Sequence, residues 1–181
     1  MNKRKIFWNF FFILIIFLID RISKIAMINT ADKIGDTSIS LTSFLNLNLI
    51  WNDGIAFGLL SFSESFGYNL ITVIICLVIL FLAMMLINAD KISRISLILI
   101  LGGAFGNFFD RLYYSAVPDF IDFYFKGFHW FIFNVADIFI TLGVFCLIYV
   151  EIIKKNKINN EKISKFVFCY FSKFIFIKLS K

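Results

Sequence analysis

The apolar residues of this chain fall into long blocks separated by short polar clusters, and block length is the first structural signal. Four blocks, at roughly 6–28, 66–87, 92–113 and 134–153, reach the ~20 helical residues that cross the ~30 Å hydrocarbon core of a bilayer. The first begins with basic residues, as a secretory signal would. No small-residue cleavage site follows it, however, and it runs on through Asp20, Arg21, Ser23 and Lys24 to Ile28, so it is predicted to be a retained helix. Between the first two blocks, residues 45–49 alternate Leu and Asn with period two, the mark of a half-buried strand, and residues 37–41 alternate more weakly. The expected fold class is an all-α membrane protein, with four transmembrane helices and a small extracytoplasmic β-sheet. Residues 1–153 form the helical domain. Residues 154–181 are expected to be a Lys-rich cytoplasmic tail, whose 166–177 stretch is too short to span and lies on the inner membrane surface.

Composition agrees: 60% of the 181 residues are hydrophobic, 17% are charged and the mean hydropathy is +0.88, which excludes an ordinary soluble enzyme. The net charge of +6 would suit nucleic acid, but the 26 Phe form no basic-aromatic groove pattern, so no nucleic-acid partner is expected. The position of the charge matters more than its sum. Thirteen of the 18 Lys and Arg lie before the first block, at the turn from the second into the third (Lys91 and Arg94), or after the fourth. The other side holds five, Arg21, Lys24, Lys33, Arg111 and Lys126, together with nine of the 12 acids. Both termini are therefore expected in the cytoplasm, and the basic excess reads as a topology signal with affinity for anionic membrane lipids. Cys76, Cys146 and Cys169 are odd in number and suggest small core residues instead of a disulfide framework. The single His129, beside Trp130, reads as an interfacial anchor ahead of a metal ligand or base.

Ionisable residues inside apolar spans are costly and point to function. Asp20, Asp110 and Asp137 lie 15, 16 and 17 residues from Lys5, Arg94 and Lys154. At the helical rise these separations put all three about 22 to 26 Å above the cytoplasmic anchors, at one level near the outer surface. Asp119 and Asp122 belong to the connection that leaves the third helix at this level and returns to the fourth. Asn107 precedes Asp110 by three residues and Asn134 precedes Asp137 by three, so each amide shares a helix face with an acid it can orient. Asp20 and Lys24, at i and i+4, can pair, and Gly102 and Gly106 allow close helix packing. Such acids admit several chemistries. Two carboxylates sharing one proton can activate water and protonate a leaving group without a cofactor or metal. Asp110, Asp119 and Asp122 could instead hold Mg²⁺ for headgroup transfer to or from a phospholipid, although that reading wants a cytosolic face. A Ser23–Lys24 dyad fails because adjacent helical residues diverge. A transporter would place its charges nearer the midplane.

Four sequence blocks, in order, resemble the bacterial lipoprotein signal peptidases (signal peptidase II), which are membrane aspartic endopeptidases. They are Asp20 to Lys24, Asn52 to Gly58, Gly102 to Arg111 continuing to Asp119-Phe120, and Phe133 to Asp137. The resemblance covers about 150 residues. It implies a multi-pass protein of the bacterial plasma (inner) membrane, with its active site at the outer face. It also implies a catalytic pair at Asp119 and Asp137, a site shaped by Asn52, Asn107, Asp110, Arg111 and Asn134, and cleavage of lipid-modified prolipoproteins before the diacylglyceryl-cysteine. No cofactor is implied, and a monomer is expected. The choice of Asp119 over Asp110 comes from the resemblance alone. This chain departs from the usual pattern at Ser115, where the family has Gly, and at Pro118, where it has Val.

Overall fold

The computed structural model describes residues 2–54, 65–125 and 128–154. The expected block at 55–58, Lys126, Cys169 and the tail beyond Lys154 lie outside the described residues, as does the Trp130 side chain. Four long helices occur among the described residues: α1 (Lys3–Ile34), α2 (Ser65–Asn88), α3 (Lys91–Tyr114) and α4 (Val135–Lys154). All four fall on the predicted blocks. Three stretches, Gly67–Asn88, Lys91–Tyr114 and Val135–Lys154, are long and apolar enough to cross a membrane, and α1 is not among them. The chain is thus a helix-rich membrane protein with three apolar spans and a small antiparallel sheet.

Helix α1 runs six residues past its expected end at 28. No Gly or Pro interrupts Asn29 to Ile34, and the stop comes at Gly35, whose φ of 69° forms a left-handed cap with its N–H on the Ala31 carbonyl at 2.9 Å. The extension gives the sheet something to pack on. Strands β1 (Ser38–Ser40), β2 (Leu45–Asn52), β3 (Val117–Phe125) and β4 (Phe128–Phe133) form an antiparallel sheet in sequence order. Leu49 and Phe120 from the sheet bury against Met27 and Ala31 of α1. A second apolar core, with Ile16, Ile79, Leu97 and Leu101, joins α1, α2 and α3 inside the bundle.

The first two strands match the alternation in the sequence. The β3–β4 hairpin replaces what reads as a plain connection between the third and fourth helices. Asp119 therefore sits on a strand, paired across to Ile50, with Asn52 opposite Val117. Both departures from the family pattern acquire a structural setting here. Ser115 caps α3 with φ 58°, a left-handed conformation that glycine adopts without strain. Pro118 pairs only with Trp51, because β4 does not begin to pair with β3 until Ile121, and a proline is tolerated where one side of a strand is unpaired.

Close helix contact comes from glycines on two faces of α3. A Cβ on Gly102 would meet the Ile16 Cβ of α1 at 2.6 Å, and one on Gly103 would meet the Ala136 carbonyl oxygen of α4 at 2.5 Å. At Gly106 the missing side chain makes room for the Asp20 carboxylate. That carboxylate belongs to a buried cluster of four charges. The Lys24 ammonium, 0% exposed, lies 3.0 Å from Asp20 and 2.7 Å from Asp110. Arg21 reaches Asp20 at 3.1 Å and also pairs with Asp110. Two cations and two anions cancel, and every bond between helices in the cluster joins α1 to α3.

Exposed apolar side chains such as Leu77, Phe81 and Phe145 cover the outer faces of the helices, as a lipid solvent permits. Cys146 is on that outer surface and not in a core, because in lipid an apolar residue gains nothing by turning inward; Cys76 is half-buried.

Lys24→Met retains the length of the side chain but leaves two buried carboxylates with a single cation. Removing one partner of a buried pair costs about 3–5 kcal/mol, so the variant should unfold that much more readily in detergent micelles, and a loss of under about 1 kcal/mol would contradict this account of the cluster.

Candidate active site

The site is built at the first turn of α4. Asn134 stands immediately before the helix and accepts the Asp137 N–H on its side-chain oxygen at 3.1 Å, while the Asp137 carboxylate accepts the Asn134 N–H at 3.2 Å. This reciprocal arrangement is a capping box, which satisfies N–H groups that a helix start leaves unpaired. The next amide, that of Ala136, donates to Asp20 Oδ1 at 3.0 Å. The start of α4 is therefore fixed both by its own cap and by an acid from α1, and negative charge at a helix N-terminus is electrostatically favoured.

With its oxygen committed to the cap, Asn134 turns its amide nitrogen to Asp119 Oδ1 at 2.5 Å. The other oxygen of Asp119 accepts from the Asn52 amide at 2.8 Å. Asn52 is aimed by its own turn, since its Oδ1 accepts the Gly54 N–H at 2.9 Å, and the Gly54 carbonyl is held by Arg111 Nη2 at 2.9 Å. Arg111 Nη1 donates to the Asn107 carbonyl at 3.2 Å. On the far side, the Asn107 amide donates to Asp137 Oδ1 at 2.8 Å, and its oxygen accepts a hydrogen bond from Lys24 Nζ at 2.7 Å. Each of the two carboxylates thus has both oxygens held by N–H donors, three of the four from asparagine side chains.

Asp119 and Asp137 line one cavity of about 270 Å³, with Asn52, Asn107, Arg111 and Asn134 around them and the apolar side chains Ile75, Ala104 and Ile140 also in its wall. Asp119 is 4% exposed, and its carboxyl is pushed up to about 6, first by burial and then by the charge of Asp137, against the opposing pull of the Asn52 and Asn134 amides. A carboxyl ionising near neutrality beside a second carboxyl, with room for water between apolar walls, is suited to general acid–base chemistry.

The structure brings together most of the residues singled out in the sequence. Asp119, Asp137, Asn52, Asn107, Asn134 and Arg111 surround the cavity, and Asp20, Lys24 and Asp110 form the charge cluster behind it. Asp122 lies apart. It is buried on β3, and its carboxylate meets His129 Nδ1 at 2.8 Å. His129, read as an interfacial anchor, is also a hairpin partner, with its ring 4.9 Å from that of Tyr124. The sequence reading missed this pairing because it needs the hairpin register, in which Tyr124 faces His129. It also missed Tyr68, whose hydroxyl donates to the Arg111 carbonyl at 3.0 Å near the end of α3. Nothing in the apolar pattern around Tyr68 marks it. Among the described residues, no group of three or more His, Cys, Asp or Glu is placed to hold a metal ion.

The chain is similar to known proteins over most of its length. A family model described as signal peptidase (SPase) II matches residues 12–153. The lipoprotein signal peptidase of Pelagibacter ubique is 52% identical over 162 residues, covering 90% of this chain and 98% of the relative. That of Francisella tularensis subsp. novicida is 41% identical over 124 residues, covering 66% of this chain and 77% of the relative. A solved structure described as a bacterial membrane enzyme, determined by the in meso method at 2.3 Å resolution, superposes with a TM-score of 0.65 at 33% identity, covering 82% of this chain and 88% of that one. A second structure with the same description, at 1.9 Å resolution, gives a TM-score of 0.62 at 32% identity. On these matches, the chain belongs to the signal peptidase II family of membrane peptidases.

Proposed function

We propose that this protein is an aspartic endopeptidase that removes the signal peptide from prolipoproteins, cutting before the cysteine that carries a diacylglyceryl group. The observation that carries the reading is the pair of carboxylates held on either side of Asn134 in one cavity. Water placed between them loses a proton to the ionised carboxylate as its oxygen bonds to the scissile carbonyl carbon. The protonated carboxyl supplies the proton that the departing amide nitrogen takes up as the C–N bond breaks. The lipid on the substrate anchors the scissile bond at the membrane surface, which supplies proximity that a diffusing peptide lacks. Asn52, Asn107 and Asn134 orient the pair, Lys24 and Arg111 hold Asn107, and Asp20 and Asp110 hold Lys24. The site is completed within one chain, so a monomer suffices. Neither Mg²⁺-dependent headgroup transfer nor transport is favoured, because the acids at the cavity are held by amides and not grouped as oxygen ligands.

In this reading α1 also crosses the membrane, giving four spans with both termini in the cytoplasm of a bacterial plasma membrane, the site outside, and the Lys-rich tail on the inner surface. The lopsided distribution of Lys and Arg supports it. Reporter fusions after Asp53 and Phe125 should read as external and a fusion after Asp90 as cytoplasmic; the reverse pattern would overturn the orientation.

Asp119→Asn and Asp137→Asn should each lower turnover of a diacylglyceryl-modified precursor by at least about 10²-fold at equal amounts of inserted protein, since an amide neither takes nor shares the proton. Asp122→Asn should keep most of its turnover, and EDTA should leave the parent rate unchanged. Near-normal turnover by Asp119→Asn together with loss of parent activity in EDTA would replace the pair with a metal centre.

The pH dependence follows from Asp119. Because its folded value is raised to about 6, lowering the pH through that value adds a second proton to the pair and leaves no base. The measured kcat/KM should fall by about tenfold per pH unit on the acid side of this point. A profile that stays flat through it would reject Asp119 as a group whose ionisation is required.

A further inference from the structure

The cavity that holds Asp119 and Asp137 continues past them along the helices, where Ile75, Ala104, Ile140 and Thr141 form its wall. Ala104 precedes Asn107 by three residues on α3, and Thr141 follows Asp137 by four on α4. This part of the wall therefore lies about one helical turn further into the apolar spans than the carboxylates. Thr141 brings the only polar side chain to it, and the Thr141 hydroxyl has no hydrogen-bond partner among the described residues. Other helical hydroxyls in the chain behave differently. Ser23, Thr30, Thr72 and Ser96 each donate to a backbone carbonyl three or four residues earlier, at 2.7 to 3.3 Å, as such side chains ordinarily do. Thr141 makes no such bond to the Asp137 carbonyl. Its side chain is exposed, and so are those of Leu142 and Phe145 beside it on α4.

A free donor at this depth has no water to satisfy it, so its partner must come from a molecule that enters the cavity. A signal peptide is an apolar segment, and within a bilayer a helix satisfies its own backbone. The stretch that reaches between two carboxylates for cleavage must be extended, and extension leaves its carbonyls unpaired. Distance selects which carbonyl meets Thr141. Four residues of α4 separate Thr141 from Asp137 by about 6 Å. An extended chain advances about 3.3 Å per residue, so that depth corresponds to about two residues of substrate. Residues two apart in an extended chain also face the same way.

We propose that Thr141 is a substrate-positioning residue, whose hydroxyl donates a hydrogen bond to the signal-peptide carbonyl two residues before the scissile carbonyl. The contact holds the peptide extended along α4, so that the bond before the lipid-bearing cysteine lies between Asp119 and Asp137. The inference rests on the reading of the site as a prolipoprotein peptidase and names a contact that this reading leaves open.

The test uses the full-length protein in lipid–detergent micelles with a diacylglyceryl-modified precursor peptide. Thr141→Val keeps the shape of the side chain without its hydroxyl, and Thr141→Ser keeps the hydroxyl. Thr141→Val should raise KM by about tenfold with kcat changed by less than about twofold, and Thr141→Ser should stay close to the parent. A second precursor has the amide that follows the selected carbonyl replaced by an ester, whose carbonyl accepts more weakly. It should cost the parent several-fold in kcat/KM and leave Thr141→Val nearly unaffected, because the contact is already lost there. With a parent that cuts normally, an unchanged KM in Thr141→Val would overturn the inference and leave the peptidase reading standing. Equal losses in the Val and Ser variants would make Thr141 a packing residue, and fully additive losses from Thr141→Val and the ester would place the hydroxyl elsewhere; either result would overturn it. A third precursor, with ether-linked chains, lacks the ester carbonyls of the lipid. If the Thr141→Val defect disappeared with that precursor, the lipid would be the acceptor and the proposal would be wrong. A parent that leaves every precursor uncut would overturn the peptidase reading, and this inference with it.

Discussion

A buried ammonium organises the site. Lys24 has no exposed surface, and it reaches two carboxylates and an amide oxygen at once. Its three contacts join α1 to α3 and lead from both to the start of α4. Asp20 continues from Lys24 to the Ala136 N–H and holds the start of α4, while Asn107 continues from it to Asp137. An isolated charge at such a depth would be prohibitive, so the cluster works only as a neutral quartet, with Arg21 and Asp110 completing it. Gly106 belongs to the same constraint, since any side chain there would occupy the space of the Asp20 carboxylate.

Asp119 is subject to opposing forces. Burial and the charge of Asp137 favour its protonation, and the asparagine donors favour the charge. Lysine or arginine in direct contact would settle the contest towards permanent ionisation. Amides do so more weakly, so Asp119 ionises close to neutrality, and its geometry stays fixed in either state. The capping box adds economy of position: one residue, Asn134, starts the helix that carries Asp137 and also holds Asp119. Ser115 in a left-handed conformation is the poorly matched residue at the start of the strand carrying Asp119, whereas Pro118 sits at a one-sided pairing that tolerates it.

The helices were legible because lipid imposes a length: the four apolar blocks match α1 to α4 to within a few residues, apart from the far end of α1. The common level of Asp20, Asp110 and Asp137 followed from helical rise, and the three acids are joined through Lys24, Asn107 and Ala136. The Asn134–Asp137 spacing likewise told of a shared face, although not that the pair is a cap. The β3–β4 hairpin was illegible for a physical reason. Strands are read from alternation between an apolar and a polar face, and β3 carries one acid on each face, Asp119 and Asp122, among apolar neighbours, so no period of two emerges. The Asn52 contact to Asp119 spans 67 residues and depends on sheet register, which local pattern does not encode.

The central claim is that Asp119 and Asp137 act on water directly and form no covalent bond to the substrate. A single turnover in H₂¹⁸O, with protein in excess over a diacylglyceryl-modified precursor, separates the two routes. The account predicts ¹⁸O in the new carboxylate of the released signal peptide and none in the protein fragments that contain Asp119 or Asp137. Label in either aspartate after that first turnover, with unlabelled product, would contradict it, because the carboxylate itself would then have attacked the carbonyl.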